Sequence, residues 1–245
     1  VCAALITTSS GESAGLPASS DMGVLSDSCG DGYIAAMASV SLPSGAGIGD
    51  AVFTGSKPDD VMTSTETGTE KPIVPSLSKE AEEAFPEISV SAECAALMCV
   101  ETGELLYEKN ADLRHAMAST TKIMTALVAL ENCKLDNTVT VSSDAVGIIG
   151  SSVYLYAGEQ MTMESLLYAL LLESANDAAA AIAIEVSGSI EGFAELMNEK
   201  AASLGLEHTH FTNPHGLDNE DHYTTARELA ALTSAALQNE TFREI

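Results

Sequence analysis

The chain has 245 residues, and 36 acidic against 10 basic side chains give it a formal charge of −26. That balance excludes a nucleic-acid-binding surface and offers no basic patch to an anionic membrane. No apolar run reaches the roughly 18 residues that a membrane-spanning helix requires.

The first element in chain order is the apolar run Val1-Cys2-Ala3-Ala4-Leu5-Ile6, which does not begin with Met. It reads as the tail of a signal-peptide core, with a disordered terminus carrying a few apolar residues as the equal alternative. Residues 1–84 are dominated by Ser, Thr, Gly, Asp and Pro, as in Thr63-Ser64-Thr65-Glu66-Thr67-Gly68-Thr69, without a sustained period of 2 or 3.6. Such a segment buries too little apolar surface to offset chain entropy, so it is expected to be an acidic linker. The patch Tyr33-Ile34-Ala35-Ala36-Met37-Ala38 is expected to form at most a transient helix.

From about Phe85 the pattern becomes globular, and residues 85–245 suit one domain. Ala92 to Val100 reads as a strand, Thr102-Gly103 as a turn and Leu105 to Glu108 as the hairpin partner. A helix is expected from about Ser119 to Glu131 and a short strand over Thr138-Val139-Thr140-Val141. Glu164 to Leu172, Asp177 to Val186, Ile190 to Leu204 and about Thr224 to Leu237 read as further helices. Strands followed by a helical insert predict an α+β domain with a mostly helical subdomain.

Two motifs carry chemistry. Ala118-Ser119-Thr120-Thr121-Lys122 puts a serine and a lysine three residues apart at a helix start, on one face. Ser119 is a weak nucleophile without a neighbouring base, and Lys122 can serve only when neutral; burial and the positive end of the helix dipole both favour that state. By itself the pair more often describes an N-cap serine and a solvated lysine. Fifty-five positions on, Glu173-Ser174-Ala175-Asn176-Asp177 interrupts an apolar helix, and alone it would be a helix corner. Ser-x-x-Lys with Ser-x-Asn, however, is the serine acyl-enzyme set of penicillin-binding proteins and class A β-lactamases.

Around these motifs the chain resembles the D-alanyl-D-alanine carboxypeptidases, low-molecular-mass penicillin-binding proteins. The resemblance is carried by Glu101-Thr102-Gly103-Glu104-Leu105-Leu106-Tyr107-Glu108-Lys109-Asn110, Ser151-Ser152-Val153-Tyr154-Leu155 and Gly158-Glu159. It continues through Phe211-Thr212-Asn213-Pro214-His215-Gly216-Leu217 and Asp221-His222-Tyr223-Thr224-Thr225-Ala226-Arg227-Glu228, and spans roughly Phe85 to Ile245. It implies a β-lactamase/DD-peptidase-like fold, an antiparallel sheet plus a helical subdomain. The implied activity is removal of the terminal D-alanine from peptidoglycan stem peptides outside the cytoplasm, with β-lactam antibiotics as inhibitors and no cofactor. Ser119 would be the nucleophile, Lys122 its base, Ser174 a proton relay to the leaving amine, and Asn176 the group that binds the substrate amide.

The family's third motif, Lys-Thr-Gly or a near variant on a later strand, has no counterpart among the Lys, His or Arg positions here. The chain is therefore expected to be a fragment lacking the C-terminal strands, acylating poorly alone because an oxyanion donor would be missing, with any membrane anchor also beyond Ile245. The alternatives are a class A β-lactamase-like hydrolase and a non-catalytic wall-binding relative. The first requires a deacylating glutamate roughly 36 positions past Ser174, where this chain has His210.

The remaining chemistry-bearing residues carry less. His208, His210, His215 and His222 cluster in sequence without an HExxH pattern, so they read as loop and surface residues rather than zinc ligands. Cys2, Cys29, Cys94, Cys99 and Cys133 show no metal-binding spacing, and five positions along a strand put Cys94 and Cys99 on opposite faces, unable to bridge each other.

Overall fold

The computed structural model describes residues 3–5, 34–39, 90 and 92–245. The rest of the expected linker, and half of the expected signal-peptide tail, lie outside the described residues. Four strands, β1 (Ala3–Leu5), β2 (Ile34–Ser39), β3 (Cys94–Cys99) and β4 (Leu105–Lys109), form one sheet in that order. Strand β1 runs parallel to β2, which pairs antiparallel with β3 from Ile34↔Cys99 to Ser39↔Cys94. The transient helix expected over Tyr33–Ala38 is thus corrected to a strand over Ile34–Ser39. Six residues are too few to sustain an isolated helix, whereas the edge of β3 offers a continuous ladder of backbone partners.

Strand β3 is buried at every position except the half-buried Leu97, which explains its unbroken apolar run. It turns into β4 through Gly103, whose φ of +69° fits a turn, with Gly103 N–H donating to Cys99 O at 2.8 Å. Lys109, at the end of β4, donates to the carbonyls of Val90 and Ala92 at 2.9 and 2.7 Å. Cys94 is a buried free thiol, and Cys99 is disulfide-bonded.

Past the sheet, a 3-10 turn over Ala118–Thr120 leads into α1 (Thr121–Asn132). The short strand β5 (Thr138–Thr140) pairs antiparallel with β6 (Gln160–Thr162). Helices α2 (Met163–Leu172), α3 (Asn176–Ser187), α4 (Ile190–Ser203), α5 (Ala226–Ala236) and α6 (Glu240–Glu244) follow. Hydroxyl caps set two of the starts: Thr162 Oγ1 accepts from Ser165 N–H at 3.1 Å and Ser189 Oγ from Gly192 N–H at 2.9 Å. The described residues fall into two compact units, each with its own packing. One holds the sheet with Thr225–Ser234; the other holds Ala116–Thr224 and Ala235–Ile245.

In the second unit α3 is the central helix, packed against α1, α2 and α4. Its alanines at 178, 179, 180, 181 and 183 are all buried, and their small side chains let neighbouring helices approach closely. Met124, Met163, Leu166, Leu167, Leu170, Phe193 and Met197 complete that core. The architecture is α+β, with a sheet and a helical unit.

Candidate active site

Ser119 sits on the 3-10 turn ahead of α1 and is exposed, while Lys122, in the first turn of α1, is only 2% exposed. The i, i+3 spacing brings Lys122 Nζ to 3.2 Å from Ser119 Oγ. The same ammonium donates to Asn176 Oδ1 at 2.8 Å and to the carbonyl oxygen of His215 at 2.7 Å. Its three protons therefore have three neutral acceptors. Burial pushes the Lys122 pKa down to about 8.

The backbone before the serine is held in an unusual conformation. Ala118 has φ +46°, a left-handed value that costs a residue with a Cβ. Gly216, itself at φ +88°, lies against it so closely that a Cβ there would stand 1.9 Å from Ala118 O. The loop carrying His215 and Gly216 is stitched to α1 by Thr125 Oγ1, which donates to Pro214 O at 2.6 Å. Asn213 Oδ1 accepts from Gly216 N–H at 2.7 Å.

Helix α2 ends at Leu172, and Ser174 takes a left-handed φ of +53° before α3 begins at Asn176. This corner delivers Asn176 to Lys122. Asn176 Nδ2 donates to Ile149 O at 2.7 Å, and its backbone N–H donates to Ser151 O at 2.8 Å. Asp177 is 1% exposed. Burial alone would raise its pKa, but hydrogen bonds from Ser152, Leu155, Val153 and Ala178 together hold it below the usual carboxylate value.

Ser119, Lys122 and Asn176 thus form one hydrogen-bonded cluster. Ser174 does not join it: its Oγ is buried and has no hydrogen-bond partner among the described residues.

The surface reading of the histidines needs correction for two of the four. His208 is exposed and His210 half-buried, but His215 and His222 are 7% and 2% exposed. His222 Nδ1 accepts from Thr212 N–H at 3.0 Å, which leaves the proton on Nε2 to donate to Thr121 Oγ1 at 2.7 Å. Burial pushes both pKa values down to about 4, with the Lys122 charge adding to the shift at His215 and His210 to that at His222. Both rings are neutral at pH 7 and serve as packing and hydrogen-bonding parts. Sequence reasoning assigned no role to these residues or to Asp177. The signal for His215 and His222 was membership in the blocks that carried the family resemblance, and that for Asp177 was its place directly after the Ser-x-Asn motif.

An exposed hydroxyl beside a buried amine with a lowered pKa is equipped for nucleophilic acyl transfer by general-base activation. Among the described residues no group of three or more His, Cys, Asp or Glu side chains is placed to hold a metal ion.

Positions 78–245 match the peptidase family described as D-alanyl-D-alanine carboxypeptidase. The chain is 40% identical over 159 residues to the D-alanyl-D-alanine carboxypeptidase DacF of Bacillus subtilis, covering 63% of this chain and 41% of that protein. It is 42% identical over 156 residues to a D-alanyl-D-alanine carboxypeptidase of a Streptomyces species, covering 59% of this chain and 54% of the relative. The crystal structure of the carboxypeptidase DacD from Francisella tularensis aligns with TM-score 0.61 at 32% identity, over 73% of this chain and 42% of that one. That of a Mycobacterium tuberculosis D-alanyl-D-alanine carboxypeptidase aligns with TM-score 0.62 at 32% identity, over 64% and 60%. The chain spans about half the length, or less, of these curated relatives. With its motif residues clustered and residues 78–245 matched, the chain belongs to the D-alanyl-D-alanine carboxypeptidase family of serine peptidases.

Proposed function

We propose that this protein acts as a serine-type D-Ala-D-Ala carboxypeptidase on peptidoglycan stem peptides. Ser119 Oγ attacks the carbonyl carbon of the penultimate D-alanine while Lys122, in its neutral form, takes the hydroxyl proton. The tetrahedral intermediate collapses by breaking the peptide C–N bond. The terminal D-alanine leaves as an amine after receiving that proton by way of Ser174, whose hydroxyl has no hydrogen-bond partner among the described residues. Water then hydrolyses the Ser119 ester, with Lys122 again the base. Asn176 holds Lys122 and donates to the substrate amide, and the backbone N–H of Ser119 is one oxyanion donor. The reading places the protein outside the cytoplasm, secreted behind a signal peptide, in cell-wall biogenesis and the maintenance of cell shape. Among the described residues no helix is long and apolar enough to cross a membrane.

The observation that carries this reading is the buried Lys122 Nζ at 3.2 Å from the exposed Ser119 Oγ. With a pKa near 8, roughly a tenth of the lysine is neutral at pH 7, against well under a thousandth at its ordinary value. Incubating the full-length protein with benzylpenicillin should give one covalent adduct on the Ser119 peptide by mass spectrometry. Ser119→Ala should abolish it, and Lys122→Ala should slow it by roughly 10²- to 10⁴-fold. The acylation rate should climb as pH rises through about 8, where Lys122 loses its proton, and level off above. A folded full-length protein that forms no adduct, or one labelled on another residue, would overturn the proposal.

A further inference from the structure

Asn176 and Asp177 are consecutive residues in the first turn of α3, and each grips one half of the same loop. Asn176 holds the near half, donating from Nδ2 to Ile149 O at 2.7 Å and from its backbone to Ser151 O at 2.8 Å. Asp177 holds the far half. Its Oδ2 accepts from Ser152 Oγ at 2.6 Å and Leu155 N–H at 3.0 Å, and its Oδ1 from Val153 N–H at 3.2 Å and Ala178 N–H at 3.0 Å. Ser152 Oγ in turn accepts from Tyr154 N–H at 3.0 Å. The fit leaves no slack, since a Cβ on Gly150 would stand 2.6 Å from Asn176 Nδ2.

We propose that Asp177 is a positioning residue for the proposed acyl transfer, fixing Asn176, and through it Lys122, by locking the loop of residues 149–156. The argument rests on the reading of Lys122 as the base. Asn176 Oδ1 can meet Lys122 at 2.8 Å only while its amide is oriented by Ile149 O, and that carbonyl is placed by a loop with few other anchors. The loop is otherwise open to water: Ile149, Tyr154 and Tyr156 are 80%, 88% and 65% exposed, and Tyr154 has a left-handed φ of +61°. Only its Leu155 side chain is buried. A segment with so little apolar burial is held by its hydrogen bonds, and three of them converge on one carboxylate. The depressed pKa of Asp177 keeps that carboxylate ionised, as an acceptor of four donors must be.

Asp177→Asn tests this because it keeps the shape while turning an N–H₂ toward groups that themselves donate. Ser152→Ala is the milder companion, removing a single donor in case the first variant folds poorly. In the full chain, amide exchange at Leu155 and at Asn176 should accelerate together, by about tenfold in Asp177→Asn and less in Ser152→Ala, while exchange at Val128 in α1 stays unchanged. Penicillin acylation of Ser119 should slow by roughly tenfold to a hundredfold in Asp177→Asn. In an Asn176→Ala background the same change should alter the rate less than twofold, because the residue it acts through is gone. Faster exchange at Leu155 with Asn176 unmoved, or an equal rate loss in both backgrounds, would overturn the proposal. A full-length wild-type protein that forms no adduct would instead overturn the proposed activity, and the exchange pattern would then decide the positioning role alone.

Discussion

Gly216 places the backbone of the His215 loop where a side chain cannot go, 1.9 Å from the Ala118 carbonyl oxygen by the position of a Cβ, at φ +88°. Gly216→Ala must therefore move either its own loop or the peptide that precedes Ser119, and both carry the site. The loop supplies the His215 carbonyl that accepts from Lys122, and Ala118 already sits in a left-handed conformation. The substitution should cost about 1–3 kcal/mol of stability in urea unfolding and slow penicillin acylation of Ser119 at least roughly tenfold. Wild-type acylation in this variant would show that the close contact is packing alone. At this scale the sequence showed the residues whose side-chain chemistry is fixed by type and spacing: Ser119, Lys122 and Asn176. It did not show that a main-chain carbonyl, His215 O, is the third acceptor for Lys122, because every residue carries a carbonyl and only the fold selects one. Nor did it show that His222 would be buried beneath Thr121, since two loop segments meet there that are about a hundred positions from α1.

Helix α3 owes its central place to a run of alanines, and Ala180 at its middle is fully buried. Ala180→Leu would push three more carbons into a close-packed interior, forcing α3 away from its neighbours. It should cost about 1–3 kcal/mol in denaturant unfolding with an unchanged slope. A loss below about 0.5 kcal/mol, no more than a surface change produces, would mean that the interior has room and that α3 is not tightly held. Helices α2, α3 and α4 were legible to within a residue or two because their apolar spacing is long and their starts carry Thr162, Asn176 and Ser189. The three-residue strand β6 was not, since Gln160–Thr162 is too short to display an alternating pattern and exists only by pairing with β5. The same holds for β2, whose Ile34–Ser39 run has no period of its own and is a strand because β3 offers an edge. The start of α1 shifted as well, from an expected Ser119 to Thr121. The left-handed Ala118 feeds a tighter turn, and that turn leaves the nucleophile outside the regular helix.

On the scale of the whole chain the governing quantity is the net charge of −26. Among the described residues, two lysines are turned to neutral partners rather than to acids. Lys109 is turned to the carbonyls of Val90 and Ala92, and Lys122 to neutral acceptors in the site. Lys200 pairs with Glu131, and Arg227 meets both Glu108 and Asp112 within the sheet unit. Among the described residues acidic side chains far outnumber basic ones, and folding brings those carboxylates closer together than the unfolded chain does. Salt has two opposing effects on such a molecule. It weakens the Lys200–Glu131 pair, which as an exposed ion pair contributes only about 0–1 kcal/mol. It also screens the repulsion, cutting its range from about 30 Å at 0.01 M ionic strength to about 8 Å at 0.15 M. With 36 acids facing 10 bases, the second effect must dominate. The melting temperature at pH 7.5 should rise by several degrees, about 2–4 °C for each kcal/mol gained, as sodium chloride is raised over that range. Most of the gain should come before 0.15 M, because beyond it the Debye length is already shorter than the spacing of most surface charges. A flat or falling melting temperature would mean that the acids are paired more thoroughly than the ion pairs of Lys200 and Arg227 provide. The excess charge would then have no hold on the stability of this fold.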